Sequence, residues 1–389
     1  MKKQRIKPVK VCVMTFPSHW LTNRIFLSDL AKILEPICHT LHIITGNVPS
    51  ELFSSKVNFI DVKSSVDSTH PLVSQRRPVL ISALLVLIIQ VKMAFHLLMI
   101  SRNVNVVIFY LAYFYQLPLL VAKILRKKTV LLQTNTISEE AIRSAALTPL
   151  SGRLAPLLMK ANCSLADYIV PESEWLAREY DNYAKKVLLY GARFIDTTLF
   201  KTKKPLGERK NLVGYIGRLS FEKGVINFIE AIPLILDKRS DIEILIVGDG
   251  PLSGEIEERI RQYLKGKVSL AGWCPLDEIP NYLNELRLLV SPSYTEGLPT
   301  RILEAMACGT PVLSTPVGAV PDVVMDGKTG FILSDNSPQG IAESIITILE
   351  HLNLNDIADN ALKLVEQRYT YEAAVERYRQ ILNKVVEKK

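Results

Sequence analysis

The sequence predicts an α/β protein made of two tandem Rossmann-like domains, each a doubly wound parallel sheet. Three observations carry that prediction. Short apolar runs, rich in β-branched residues or leucine, alternate with segments of helical spacing, the pattern of parallel sheets wrapped by helices. The alternation pauses at a polar, basic stretch, Tyr190–Lys210, and then restarts. A length of 389 residues suits two or three domains at roughly 100–200 residues each.

The first half opens with an apolar run, Val9–Phe16, that ends at a turn, followed by helical spacing over Leu21–Leu34. Leu41–Thr45, Val57–Val62, Val104–Leu111, Thr129–Thr134 and Tyr168–Val170 read as buried strands. Pro205 and Gly207 punctuate the linker. The second half begins with a strand at Leu212–Ile216 and a helix whose apolar residues Val225, Phe228, Ile229, Ile232 and Leu236 share one face. Strands follow at Ile242–Val247, Val268–Ala271, Leu288–Ser291, Pro311–Ser314 and Gly330–Leu333, and the last 35 or so residues read as helical. These features predict an amino-terminal domain over 1–190, a carboxy-terminal domain over 191–370, and a closing helical segment over 371–389. In open α/β sheets, ligands bind beyond the carboxyl ends of the strands. Two such sheets are therefore expected to face a central cleft, with the chemistry in their strand-exit loops.

Composition narrows the function. A hydrophobic share of 48% with 22% charged residues excludes a disordered chain. The five cysteines form no C-x-x-C pair, so neither a disulfide framework nor a zinc site is indicated, and a reducing, cytoplasmic setting is expected. The net charge is +8, with Lys2, Lys3, Arg5, Lys7 and Lys10 crowding the start. No basic stripe interleaved with aromatics accompanies it, so nucleic acid is not the expected partner. Anionic lipid or a phosphorylated ligand fits better, against the plainer reading of a solvated terminus. The run over 79–100 is almost wholly apolar and is flanked by Arg76, Arg77 and Arg102. Its unbroken part is too short for the ~20 residues of a spanning helix. A buried core helix, an interfacial helix on a membrane and, third, a spanning helix are the open readings.

Ser291–Gly309 is the richest segment. It leaves a strand and becomes a helix near Pro299–Thr300, where proline suits the first turn and threonine can cap. The backbone N–H groups of Gly297, Leu298, Pro299's successor Thr300 and the next residues form an opening suited to an anion. Glu296 stands just before the opening. Glu304 lies one turn inside and, because helical Cβ atoms tilt toward the amino end, points back at it. Two carboxylates beside an anion site make sense if each grips a hydroxyl-bearing group flanking a diphosphate, as in a nucleotide sugar. An exposed helix start with dipole-favouring glutamates is the competing reading.

Arg218 and Lys223 follow the strand ending in Gly217 and are spaced to meet one diphosphate. Gly217 and Gly224 would allow close backbone approach and positive φ. The turn Gly248–Gly254 approaches the G-x-G-x-x-G spacing, but its third glycine is one residue late. The following strand also ends in Gly272 and Trp273 rather than an acid, which argues against a dinucleotide site. Gly272, Trp273 and Cys274 could border a flat base, or Trp273 could be core.

Taken in order, G-R-L-S-x-E-K-G, V-G-D-G-P-L, G-W-C-P, E-G-L-P-T-x-x-x-E-A-M-A-C-G-T-P-V and G-x-x-P-D-V-V-x-D-G-x-T-G-F-I-L resemble glycosyltransferase family 4, retaining enzymes of the GT-B fold. The resemblance is close over about 210–335. It implies that Arg218 and Lys223 bind the donor diphosphate and that Glu296 and Glu304 are the ends of a Glu-x7-Glu motif. Glu296 would face the transferred sugar and Glu304 the ribose. Gly217 and Gly297–Thr300 would contact phosphate, and Gly272–Cys274 the base. It also implies a UDP- or GDP-sugar donor and no metal held by an Asp-x-Asp motif.

The amino-terminal half departs from the family. The first strand exit, Phe16–Trp20, has no glycine pair. His19, Asn135 and Glu139 are the acceptor-side candidates. The expectation is a retaining hexosyltransferase acting on a glycan or lipid-linked saccharide, cytoplasmic and peripheral to the inner face of the membrane through 79–100 and the basic start. A 2-epimerase of the same fold and a non-catalytic nucleotide-sugar binder are the alternatives.

Overall fold

A computed structural model describes residues 9–16, 21–62, 79–110, 115–134, 149–188, 191, 194–263 and 266–387, with main chain only for 21–23, 79–83 and 149–155. The chain divides into two compact units: residues 1–193 with 372–389, and residues 194–371.

In the first unit the strands are β1 (Lys10–Thr15), β2 (Thr40–Thr45), β3 (Val57–Asp61), β4 (Val106–Tyr110), β5 (Lys128–Gln133) and β6 (Tyr168–Pro171). They form one sheet in the order β3-β2-β1-β4-β5-β6, parallel throughout. The α-helices are α1 (Leu21–Leu34), α2 (Val79–Ile100), α3 (Gln116–Ile124), α4 (Pro149–Leu165) and α5 (Glu174–Arg178). Burial of Ile89, Met93 and Leu97 beside Phe109, Tyr115 and Leu119 fixes α2 in the core on one side. Buried Gln90 accepts a hydrogen bond from the Leu117 amide at 3.0 Å and so has its polar group satisfied.

In the second unit the strands are β7 (Leu212–Ile216), β8 (Glu243–Val247), β9 (Val268–Gly272), β10 (Leu288–Ser291), β11 (Val312–Ser314) and β12 (Phe331–Ile332). Their order, β12-β11-β10-β7-β8-β9, repeats the winding of the first sheet. The α-helices are α6 (Val225–Lys238), α7 (Ser253–Tyr263), α8 (Ile279–Glu285), α9 (Thr300–Ala307), α10 (Pro338–Leu349) and α11 (Leu354–Arg368). α12 (Tyr371–Glu387) closes the described chain. Its Tyr378 hydroxyl donates to the Gly191 carbonyl at 3.0 Å, and any Cβ on Gly191 would lie 2.7 Å from that hydroxyl oxygen.

The expected fold class is the observed one: two parallel six-stranded sheets flanked by helices. β12 is shorter than the apolar run Gly330–Leu333 that predicts it, and the basic stretch after 194 is no loose tether. Arg209 is 3% exposed and donates to the carbonyls of Lys204, Leu283, Leu286 and Cys308 and to the Thr310 hydroxyl. Burial pulls its pKa down to about 10. Asn284 adds bonds to the Lys203 amide and the Lys201 carbonyl. The stretch is thus stitched to α8 and to the end of α9.

Candidate active site

Doubly wound sheets reverse their strand order once, and the exits of the two strands beside that reversal leave a crevice. In the second sheet those strands are β7 and β10, which are neighbours. Their exits carry Arg218 and Lys223 on one side and Glu296 on the other.

Gly224 decides how the β7 exit turns. It ends a short 3-10 turn, Phe221–Lys223, in the left-handed region with φ 65° and opens α6. A Cβ there would stand 1.9 Å from the Pro292 carbonyl oxygen, so only glycine lets the two exits touch. The Tyr294 amide then donates to the Glu222 carbonyl at 2.9 Å. Lys223 Nζ reaches Glu296 Oε1 at 2.7 Å, and the Ser293 hydroxyl donates to the same oxygen at 2.7 Å. The Glu296 side chain is only 13% exposed. Gly318 seals the far side: its φ is 55°, and a Cβ would lie 1.7 Å from the Glu296 carbonyl oxygen.

α9 begins at Thr300, one residue later than Pro299, and no side chain caps it. The expectation that Thr300 caps is corrected: its hydroxyl faces the Leu298 carbonyl at 3.4 Å, because Thr300 is already inside the first turn. The first-turn amides therefore lack a capping side chain. Glu304 is buried and pairs with Arg301 one turn earlier, the direction expected from Cβ tilt. Glu296 and Arg301 both act electrostatically on the Tyr215 hydroxyl, which burial pushes well above the phenol range. That hydroxyl donates to the Arg218 carbonyl at 2.7 Å. Arg301 also acts on Cys274, whose thiol burial pushes up. The exits of β7, β9 and β10 thus meet around the start of α9.

Several expectations change in detail. Arg218 is exposed and makes no ion pair among the described residues, while Lys223 is already engaged by Glu296. Gly217 does not adopt positive φ. A Cβ there would meet the Tyr215 hydroxyl oxygen at 3.3 Å, so close approach is its role. Trp273 is 73% exposed, which removes the core reading. Gly272 has φ 70° and accepts a hydrogen bond from the Gly248 amide at 2.8 Å. Gly248 explains the G-D-G turn: with φ 143°, a Cβ would fall 1.8 Å from the Gly217 carbonyl oxygen. The Leu219 amide donates to Asp249 O at 3.0 Å, so this turn buttresses the Arg218 loop. Gly297 accepts a bond from the Ala319 amide at 3.3 Å.

Sequence reasoning missed Ser293, Arg301, Tyr215 and Gly318. Ser293 had a signal, an S-x-x-E spacing to Glu296. Arg301 had one too, the three-residue helical spacing to Glu304, and Tyr215 stands three residues before Arg218, whereas Gly318 meets Glu296 from a turn distant in sequence. His19, Asn135, Glu139 and the lysines before Val9 lie outside the described residues. Among the described residues, no three His, Cys, Asp or Glu side chains gather as metal ligands would.

Residues 196–364 match the family described as glycosyl transferases group 1. An uncharacterised glycosyltransferase of Methanocaldococcus jannaschii is 27% identical over 57% of this chain and 59% of its own length. Alpha-D-kanosaminyltransferase of Streptomyces kanamyceticus is 31% identical over 42% of this chain and 43% of its own. The capsular polysaccharide biosynthesis glycosyltransferase CapM of Staphylococcus aureus is 26% identical over 44% and 46%. The chain thus spans about half the length of the curated relatives it matches. Anabaena HepE, solved in complex with UDP, has the same fold with a TM-score of 0.75, covering 97% of this chain and 100% of HepE at 18% identity. Sucrose-phosphate synthase of Thermosynechococcus elongatus gives a TM-score of 0.71, covering 98% of this chain and 100% of that protein at 17% identity.

Proposed function

We propose that this protein is a retaining glycosyltransferase that moves a hexosyl unit from a nucleotide-diphosphate sugar to a glycan or lipid-linked saccharide. The observation that carries the reading is the meeting of Lys223 and Glu296 beside the uncapped start of α9. A cation, a carboxylate and a set of backbone amides stand together at the reversal point of the sheet, where a diphosphate ester would sit. The matching family over 196–364 and the names of the relatives support the same reaction class.

In this reading the donor diphosphate displaces Glu296 from Lys223 and pairs with its ammonium group, with Arg218 and the amides of Gly297 and Leu298 completing the anion site; the Thr300 amide already donates to the Leu298 carbonyl at 2.8 Å. Glu296, released, accepts hydrogen bonds from the sugar hydroxyls. Glu304 holds the ribose, and Gly272, Trp273 and Cys274 border the base. The bond between the anomeric carbon and the phosphate oxygen breaks as the acceptor oxygen attacks the same face. A phosphate oxygen takes the acceptor's proton, and the nucleoside diphosphate leaves. Charge developing on the leaving group is met by fixed cations and amides, the arrangement that most lowers such barriers. No metal is required in this scheme. Five free thiols, three of them buried, accord with a cytoplasmic setting.

The HepE complexes with UDP and UDP-glucose make UDP the first nucleotide to try. A thermal-shift series with UDP-, GDP- and ADP-sugars identifies the donor, since stabilisation follows affinity. Incubation with acceptor should then give a product with the donor's anomeric configuration by NMR. An epimerised donor formed without acceptor would replace this reading with the 2-epimerase. Donor binding with neither transfer nor hydrolysis would replace it with a binding protein.

A further inference from the structure

The first unit carries a surface that its own core does not explain. α2 buries Val86, Ile89, Met93 and Leu97. Its opposite side exposes Leu84, Leu87, Val91, Phe95, Leu98 and Met99. Leu84, Ile88, Val91, Phe95 and Leu98 recur at four- and three-residue steps and so form one outward stripe. The neighbouring α3 adds Ile124, which is 79% exposed, and Leu120. Contiguous apolar patches beyond a few hundred Å² are uncommon on soluble monomers and mark interaction surfaces.

Charge says what this surface meets. No aspartate or glutamate occurs between Asp67 and Glu139, and none occurs in α4. Arg102 follows α2 and Arg126 follows α3, both exposed. An apolar stripe beside unbalanced cations fits a partner that is apolar within and anionic at its surface. A second copy fits poorly, because a two-fold interface would set these cations against themselves.

We infer that the outward stripe of α2, with Ile124 of α3, lies in the headgroup boundary of an anionic lipid bilayer, with Arg102 and Arg126 at lipid phosphates. By length and composition Leu84–Asn103 could cross a membrane, and a third of it is buried. Spanning would strip Met93 and Leu97 from the core and break the Gln90 bond to Leu117, whereas lying flat keeps both.

Flotation of the full chain with vesicles of phosphatidylethanolamine and phosphatidylglycerol tests it. The wild-type protein should float with them, less at high salt, and less with phosphatidylcholine alone. Phe95→Asp with Leu98→Asp should abolish flotation. Arg102→Gln and Arg126→Gln should each weaken it by roughly fivefold. Met99→Asp, at a side chain 71% exposed, gives the same readout should the double variant not fold. Melting temperature serves as the folding control. Wild-type protein that stays at the bottom overturns the inference, as does flotation unchanged in folded variants. So does a wild-type dimer that Phe95→Asp with Leu98→Asp turns into monomers. A chain that floats yet shows no shift with any nucleotide sugar upholds this inference and overturns the donor reading.

Discussion

Lys223 Nζ and Glu296 Oε1 stand 2.7 Å apart although 73 residues separate them in the chain. The lysine satisfies a carboxylate that is mostly buried, and the carboxylate fixes the lysine; in the proposed reaction a donor would take up both groups. Lys223→Ala and Glu296→Ala should each lower turnover by about a hundred- to a thousand-fold, the loss typical when one group that stabilises the leaving charge is removed. The two losses should not add in the double variant, because the groups act as a unit. Steady-state kinetics with the identified donor, beside unchanged cooperative melting, checks this. Near-normal turnover in both single variants would refute the site.

Gly318→Ala should disturb the site without touching a charged group. Its Cβ would stand 1.7 Å from the Glu296 carbonyl oxygen, at a φ of 55° that alanine adopts with strain. The expected cost is about 1–3 kcal/mol in stability, together with a weaker thermal shift by UDP. An alanine variant with the wild-type melting temperature and UDP response would show that the 296–297 backbone is not held from this side.

Arg209→Met should lower the melting temperature markedly. The guanidinium satisfies four carbonyls and one hydroxyl in the core of the second unit; methionine would remove that donor from the Lys204, Leu286 and Cys308 carbonyls, while Leu283 keeps the Thr310 hydroxyl. A loss of about 3 kcal/mol or more is expected. Arg209→Lys should recover little, since one ammonium cannot reproduce a planar five-donor fork. Denaturant titration of both variants measures it, and a lysine variant as stable as wild type would contradict the account.

Asp167 sets an acid limit on the first unit. Burial opposes its ionisation, but hydrogen bonds from Lys123 and Thr129 outweigh burial and hold the carboxyl below the usual aspartate range. Its folded pKa lies below its unfolded one. The stability it contributes is therefore present above the unfolded value of about 3.9 and lost as pH falls through the folded value. Asp167→Asn should cost about 1–2 kcal/mol near neutrality, discounted for the partly exposed Lys123. It should also flatten the stability loss on acidification below about pH 4. Chemical denaturation across that range reads both effects.

Much of this protein was legible in the chain. Strand and helix periods follow from which side chains must leave water, and Leu21–Leu34, Leu212–Ile216 and Leu288–Ser291 fall where the apolar pattern places them. Arg218, Lys223 and Glu296 were visible in the stretches after strands, and Glu304 inside the helix that follows. Three-dimensional packing decided the rest. Lys223 meets Glu296 because β7 and β10 are neighbours in the sheet, a pairing that local propensity does not encode. The G-D-G turn became a brace because its glycines pass within van der Waals distance of another backbone. α2 shows the division most plainly. Its residues are apolar on every side, so composition alone fixes a helix and not its orientation. Only contact with Phe109, Tyr115 and Leu119 selects the side that is buried, and so the side that faces outward.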